Sequence, residues 1–532
     1  MVEDDLKTAP NELVDGEHTP IILDHNYAFG GSMDSSAINQ AIQTIQRKHG
    51  PKVYLLPLGG TSGGGGIFQI NRPAEGSIIG VSLTTPAHPD IQCQRAPNLV
   101  SVSMDQIIID QSNREIYMGA AITLDQIRQA LREEVGPQFT VLGADLTSYT
   151  YAQSGATFMT GGMGPQRIYF SDSVVEIALH DGDRIRSIKH PEINSYAGTY
   201  GWTGLVTAVK CRYHQLPNHE IAFAIPVNQE AQHLGQLLAH FSEYAYLNTQ
   251  WNKVLNKKGQ PNIIVGLEHI TTSSMTPLLD HHPNNATKLR ARQLIEKCQA
   301  AESDGLMFIS GFSDSPEDEF LASLIDAPEL DTPTIAGVDL TYTEVFPNPD
   351  TMREFREAVP FAARTQETTG TFSYKGHTDA NIRINPDSVA ASMSAVWQAH
   401  MDHVKRVETH FASQPNVSGE ILVYGHLNPW GVDPHNRVTF SCNDQRDFEH
   451  SRRIVDESKN VLIRQLATLC EQTHCDFIGG EKSAGSEYEM AEAFGSLDQA
   501  PEKLAKKYHR QKSAIQAAPI MYNWRAMPPY QS

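Results

Sequence analysis

Residues 53–68 read VYLLPLGGTSGGGGIF, a short apolar strand running into a loop with six glycines. No other stretch restricts the fold of this chain as much. Glycine tolerates positive φ and carries no side chain, so a strand opening into such a loop can close its backbone amides around phosphate oxygens. The residues after the loop narrow the reading. A Rossmann fingerprint needs a helix directly after its glycines, whereas Ile67-Phe68-Gln69-Ile70-Asn71-Arg72-Pro73 is strand-like and then broken by proline. The sequence also lacks the Gly-Lys-Ser/Thr of a P-loop. For the loop taken alone, the other reading is a flexible glycine linker.

A length of 532 residues predicts two or three domains. The formal charge of −20, from 62 acidic against 42 basic residues, argues against nucleic acid or an anionic membrane as partner. No apolar run approaches the ~20 residues of a membrane span. The acidic start MVEDDLKTAP has no apolar core of a signal peptide. Cys93, Cys211, Cys298, Cys442, Cys470 and Cys475 are scattered without a C-x-x-C pair, which reads as reduced thiols and a cytoplasmic location.

Apolar spacing predicts a helix over 36–49 leading into the Val53 strand, a first βα-type unit. Residues 72–97 hold four prolines and little periodicity, and read as an inserted loop. Thr123 is placed to cap a helix reaching Glu134, and strands 173–179 and 184–188 flank the turn Asp181-Gly182. Beyond Pro217 the chain alternates strands (221–227, 262–268, 306–311, 420–424) with helices (229–246, 386–411, 452–473). The expected class is α+β. The expected domains are 1–220, 221–480 and a C-terminal segment 481–532 that packs back on the first.

Several elements of the N-terminal half occur in the order of a known family. They are Pro57-Leu58-Gly59-Gly60-Thr61-Ser62-Gly63-Gly64, Asn98 to Asp105, Glu115 to Leu124, Asp145 to Gly164 (DLTSYTYAQSGATFMTGGMG) and Gly201-Trp202-Thr203-Gly204-Leu205-Val206-Thr207. Together they resemble the FAD-binding domain of the vanillyl-alcohol oxidase/PCMH flavoprotein superfamily. The resemblance implies a PCMH-type FAD domain of two α/β subdomains and an α+β, ferredoxin-like cap. It implies cofactor contacts from Leu58, Gly59, Gly60, Thr61, Ser62, Gly63, Gly64, Asp145, Ser148, Ser154, Gly155, Thr157, Gly161, Gly162, Gly204 and Val206. Covalent attachment in this superfamily uses a histidine or cysteine near the first loop. None occurs from Val53 to Pro86, so FAD is expected to be non-covalent.

The cap motifs are similar to those of the D-lactate/glycolate/D-2-hydroxyglutarate dehydrogenase branch. In Gly425-His426-Leu427-Asn428-Pro429-Trp430-Gly431-Val432-Asp433-Pro434-His435-Asn436, one loop would bring two imidazoles together for a divalent ion, zinc or manganese. The spacing between the histidines is two residues longer than in the branch motif. Glu481 aligns with the branch's glutamate ligand, but Lys482 replaces its presumed histidine base. By the same resemblance Arg356 and Lys375 would hold a substrate carboxylate. Three functions follow: hydride transfer from a small 2-hydroxy acid to flavin N5, a same-superfamily reaction on a sugar or alkylglycerone-phosphate-like substrate, or flavin binding without turnover. The sequence names neither the electron acceptor nor the assembly, with a homodimer among those left open.

Overall fold

The computed structural model describes residues 7–8, 12–13, 21–50, 52–59, 76–95, 98–146, 148–162, 169–199, 201–216, 219–228, 231–242, 246–247, 254–255, 263–313, 334–346, 348–365, 370–379, 381–383, 389–428, 431–479, 493–517 and 521–522. Gly60, Thr61, Ser62, Gly63, Gly64, Glu481 and Lys482 lie outside these residues. The chain forms two compact units. One comprises Met1–Gly164, Ile168–Gln215 and Lys506–Ser532, the other Pro165–Arg167 and Leu216–Ala505.

Among the described residues the first unit contains two main sheets, of four and six strands, and two short two-stranded pairs. In the smaller main sheet, β1 (His25–Phe29) and β2 (Val53–Leu58) both run parallel to β3 (Ser77–Leu83), which lies between them. Helix α1 (Ser35–His49) joins β1 to β2. Asp34 caps it by accepting the Ala37 amide at 2.9 Å, and Ile38, Ala41, Ile42 and Ile45 form its buried face. The expected insertion at 72–97 is therefore corrected, since it supplies the central strand β3 and also β4 (Asp90–Cys93). Its prolines misled the reading. Pro86 and Pro89 fall outside the strands, while Ile78, Ile79, Val81 and Leu83 are buried.

The larger sheet adds β5 (Gln106–Asp110), β6 (Glu115–Gly119), β7 (Val174–His180), β8 (Ile185–Lys189) and β9 (Leu205–Arg212), in the order β8-β7-β9-β6-β5-β4. The Asp181-Gly182 turn joins β7 and β8 as expected. Thr123 and Gln126 form a reciprocal capping box at the start of α2 (Leu124–Glu134). Residues 99–101 form a 3₁₀ turn capped by Asn98. Near the C-terminus, the Leu55 amide donates to the Met521 carbonyl at 2.7 Å, and Tyr522 is fully buried.

The second unit is built on one nine-stranded sheet among the described residues. Its strands are β10 (His219–Val227), β11 (Ile263–Thr271), β12 (Gly305–Ser313), β13 (Glu344–Phe346), β14 (Phe372–Asp379), β15 (Asn381–Arg383), β16 (Ser418–Asn428), β17 (Gly431–Cys442) and β18 (Asp476–Gly479). The order is β13-β10-β12-β11-β16-β17-β15-β18, with β14 also paired to β17. Every pairing is antiparallel. The sheet is thus wider than the four strands of a ferredoxin-like unit. The long β16–β17 hairpin adds strands on to the β10-β12-β11 set.

Side chains alternate across a sheet, so neighbouring residues report its two faces. Glu268 meets Arg356 of α7 (Pro349–Thr365), and His269 meets Trp397 of α8 (Val389–Ser413). One face is therefore covered by α7 with α5 (Thr272–His281) and α6 (Asn285–Ala300), around Ile270, Phe308, Phe355 and Tyr424. The other is covered by α8, which packs on α4 (Ala231–Ser242) and α9 (Gln445–Gln472).

Tyr522 offers a test of how the C-terminus is held. The Gly182 amide donates to His180 Nδ1, so that nitrogen is unprotonated and also accepts the Tyr522 hydroxyl at 3.0 Å, while Nε2–H donates to Asn39 Oδ1 at 2.9 Å. Tyr522→Phe should cost about 1 kcal/mol through the lost hydrogen bond, and Tyr522→Ala about 4 kcal/mol through the cavity. Urea unfolding of the full chain measures both. Equal midpoints for the two variants and the parent would contradict this account.

Candidate functional site

In the first unit the structure brings the glycine segments named by the sequence against one another. A Cβ on Gly59, at the end of β2, would overlap the Ala156 methyl in α3 (Ser154–Thr160). A Cβ on Gly155 would lie 2.6 Å from that of Ala120, and one on Gly201 would lie 3.2 Å from Pro57 Cγ. Gly161 ends α3 in the left-handed region, at φ 74°. Leu58 and Val206 are buried strand residues, Gly204 directly precedes β9, and Asp145 and Ser148 are half-buried in the turns before α3.

The amides of this second segment are spent inside the chain. Ser154 donates to Ile122, Gly155 to Ala120, Thr157 to Gln153, and Gly162 to Thr157. The Thr157 hydroxyl also returns to the Gln153 carbonyl. The glycines here serve close packing, which is a different role from offering amides to phosphate. A residue that the motif reading passed over stands beside them. Gln153 is buried and its Nε2 donates to the Leu83 carbonyl and to Thr85 Oγ1. Its Oε1 has no hydrogen-bond partner among the described residues and lies 3.6 Å from a Cβ position on Gly59.

In the second unit the sequence expected His426 and His435 on a loop. The structure corrects this by placing both on strands. β16 extends to Asn428 and β17 restarts at Gly431, so the connection shrinks to two residues, which lie outside those described. The antiparallel register sets Glu268 of β11 opposite His426 of β16, and His426 opposite Asp433 of β17. His435, two residues beyond Asp433, shares its face. One face thus carries a row of carboxylate, imidazole and carboxylate, with a second imidazole alongside.

The row is tightly buried, with Glu268 1%, His426 4%, Asp433 0% and His435 1% exposed. Donor atoms of His426, Asp433 and His435 all lie within 4.8 Å of one another, the one such group among the described residues. His435 Nε2 is 2.9 Å from Asp433 Oδ2, and the imidazole centroids are 5.0 Å apart. Bonds of about 2.0–2.1 Å to a tetrahedral zinc separate adjacent donors by roughly 3.3 Å, so this spacing suits a divalent ion. Tyr424 stacks on His435 at 5.2 Å with 7° between planes, and fixes that ring. Asp433 was absent from the ligands expected of the sequence, although its place two residues before His435 would reveal it once the segment is written as a strand.

Arg356 donates through Nε to Glu268, with both side chains buried. Its charge is met within the protein. The Lys375 backbone lies on β14 opposite Thr439; its side chain is outside the described residues, as are Glu481 and Lys482.

The opposite face holds further histidines that carry no motif. His269 sits edge-on to Trp397 at 5.3 Å, and Trp397 is 5.4 Å from His400. His403 Nδ1 lies 2.8 Å from Ser458 Oγ. Burial lowers the His269 pKa to about 3. Burial first, then the Arg406 charge, lowers that of His403 to about 4, against hydrogen bonds from Asn436 and Ser458. His400 is held well below its usual value by burial and by His403, His435 and His269, with Asp433 opposing.

No protein-family model and no curated protein sequence matches the chain. Solved structures do. One is alkyldihydroxyacetonephosphate synthase, with 13% identity, TM-score 0.54, and coverage of 86% of this chain and 72% of that one. Another is 4-ethylphenol oxidase from Gulosibacter chungangensis in complex with isoeugenol, with 9% identity, TM-score 0.54, and coverage of 95% and 89%. The likeness is one of fold, and it agrees with the α+β class expected from the sequence. No helix among the described residues is long and apolar enough to cross a membrane.

The buried histidines set a pH dependence. His269 and His403 are neutral in the folded chain and bind protons in the unfolded chain below about pH 6.5. Stability is therefore complete above that pH and falls as pH drops towards 4, by about 2 kcal/mol per histidine at pH 5. His269→Phe should flatten the loss in urea midpoint between pH 7.5 and pH 5. An unchanged slope would contradict this account.

Proposed function

We propose that the chain is an FAD-dependent oxidoreductase acting on a CH–OH group of a small 2-hydroxy acid, of the D-lactate, glycolate or D-2-hydroxyglutarate kind, with a zinc or manganese ion held by His426, Asp433 and His435. One observation carries the reading: two imidazoles and a carboxylate converge in a buried group on the register of two paired strands, β16 and β17. Such a donor set suits zinc by its imidazoles and manganese by its carboxylate. For FAD, the convergence of the Gly59, Ala156 and Gly201 segments supports a shared ligand, and the buried Gln153 Oε1 is an acceptor suited to ribityl hydroxyls. Bound FAD supplies the two-electron acceptor, and a bound ion makes a coordinated hydroxyl more acidic.

The residues divide the remaining work. His426, Asp433 and His435 hold the ion, and Tyr424 keeps the His435 ring in place. Lys482 takes the hydroxyl proton, which requires surroundings that lower its pKa. Lys375 offers charge to the substrate carboxylate. Arg356, expected from the sequence to share that task, has its charge engaged by Glu268. In the first unit the segment from Gly60 to Gly64 would offer backbone amides to the diphosphate, with Leu58, Val206 and Gln153 as further contacts to the cofactor.

The purified chain should be yellow. Under anaerobic conditions D-lactate, glycolate or D-2-hydroxyglutarate should bleach it. Bleaching by sugars or lipid phosphates alone would overturn the hydroxy-acid assignment, and a colourless chain that takes up no added FAD would overturn the flavin assignment. Acid precipitation should release the flavin to the supernatant, because no covalent anchor is expected. Metal analysis should find an ion in the parent and little in His435→Ala; equal contents would remove His435 as a ligand.

A further inference from the structure

Glu268 lies outside the three-donor group yet belongs to the same row. It is 1% exposed, and its Oε1 is 3.7 Å from His426 Nδ1. Its other oxygen accepts from Arg356, itself 3% exposed. Its neighbour across the sheet on the far side is Phe308, stacked with Phe355 at 5.8 Å. An apolar wall therefore closes one side of the carboxylate, and its described polar partners are one arginine and one histidine. Two buried charges cost several kcal/mol each to desolvate and contribute little net stability as a pair, so stability alone gives a weak reason for them.

We propose that Glu268, anchored by Arg356, is a positioning residue for the metal group: it orients the His426 ring and makes that imidazole a stronger donor to the ion. The inference rests on the proposed ion at His426, Asp433 and His435. Imidazole ligands of metals almost always give their other ring N–H to a carboxylate, a backbone carbonyl or a water, and loss of such a partner typically weakens metal binding 10- to 100-fold. It also gives Arg356 a role that needs no substrate anion. The pair forms a chain from α7 through β11 to the ligand on β16, and the strand register fixes its length.

The experiment measures zinc and manganese affinity of the full chain by competition with a chromophoric chelator, with circular dichroism to follow the fold. Glu268→Gln removes the charge but strands Arg356, which threatens folding. The double variant Glu268→Gln/Arg356→Met removes both charges together and keeps the volume. Either variant, if folded, should bind the ion about 10- to 100-fold more weakly than the parent. Parent-like affinity in the folded double variant would overturn the role of Glu268 while leaving the metal site standing. A parent chain that takes up neither ion would overturn the site and this inference together.

Discussion

The register of β11, β16 and β17 is the constraint on which the second unit's chemistry depends. Antiparallel pairing places Glu268, His426 and Asp433 directly across from one another, and the two-residue period of a strand adds His435 to the same face. A slip of one residue along β17 would turn Asp433 and His435 to the other face and bring Pro434, with Asn436 or Val432, in their place. The site therefore does not depend on a flexible loop finding its shape. Long hydrogen-bonded strands hold it, with Tyr424 stacked on one imidazole and Arg356 tied to the far carboxylate.

The same sheet separates two kinds of buried polarity. On the α7 face, carboxylates and imidazoles lie within ion-binding distance. On the α8 face, His269, His400 and His403 are surrounded by Trp397 and helix side chains, and burial keeps them neutral. Neutral histidines among aromatic rings add volume and edge contacts at modest cost above pH 6.5, and they become a liability only in acid. The division follows from one amide-to-amide alternation, Glu268 to one side and His269 to the other.

Much of the first unit was legible in the sequence because its signals are local. The capping Thr123, the Asp181-Gly182 turn and the glycine-ended strand β2 each act over a few residues, and the structure has all three. The 72–97 segment was misread because prolines between strands were weighed above the apolar run from Ile78 to Leu83. In the second unit the imidazoles could be named, but their partners could not. Glu268 lies far from His426 in sequence, and only tertiary pairing shows it as the residue opposite. Asp433 was hidden by reading a hairpin as a loop. Arg356 could be found on its helix, but nothing in that helix records that a strand glutamate already meets its charge.

The central claim is that His426, Asp433 and His435 bind one divalent ion. X-ray absorption at the zinc or manganese edge of the loaded, purified chain tests it most directly. The account predicts two imidazole nitrogens, at about 2.0–2.1 Å for zinc, with carboxylate oxygen completing the shell, and loss of the imidazole scattering when His426 and His435 are both replaced by alanine. An ion surrounded only by oxygen, or a spectrum unchanged in that double variant, would contradict it.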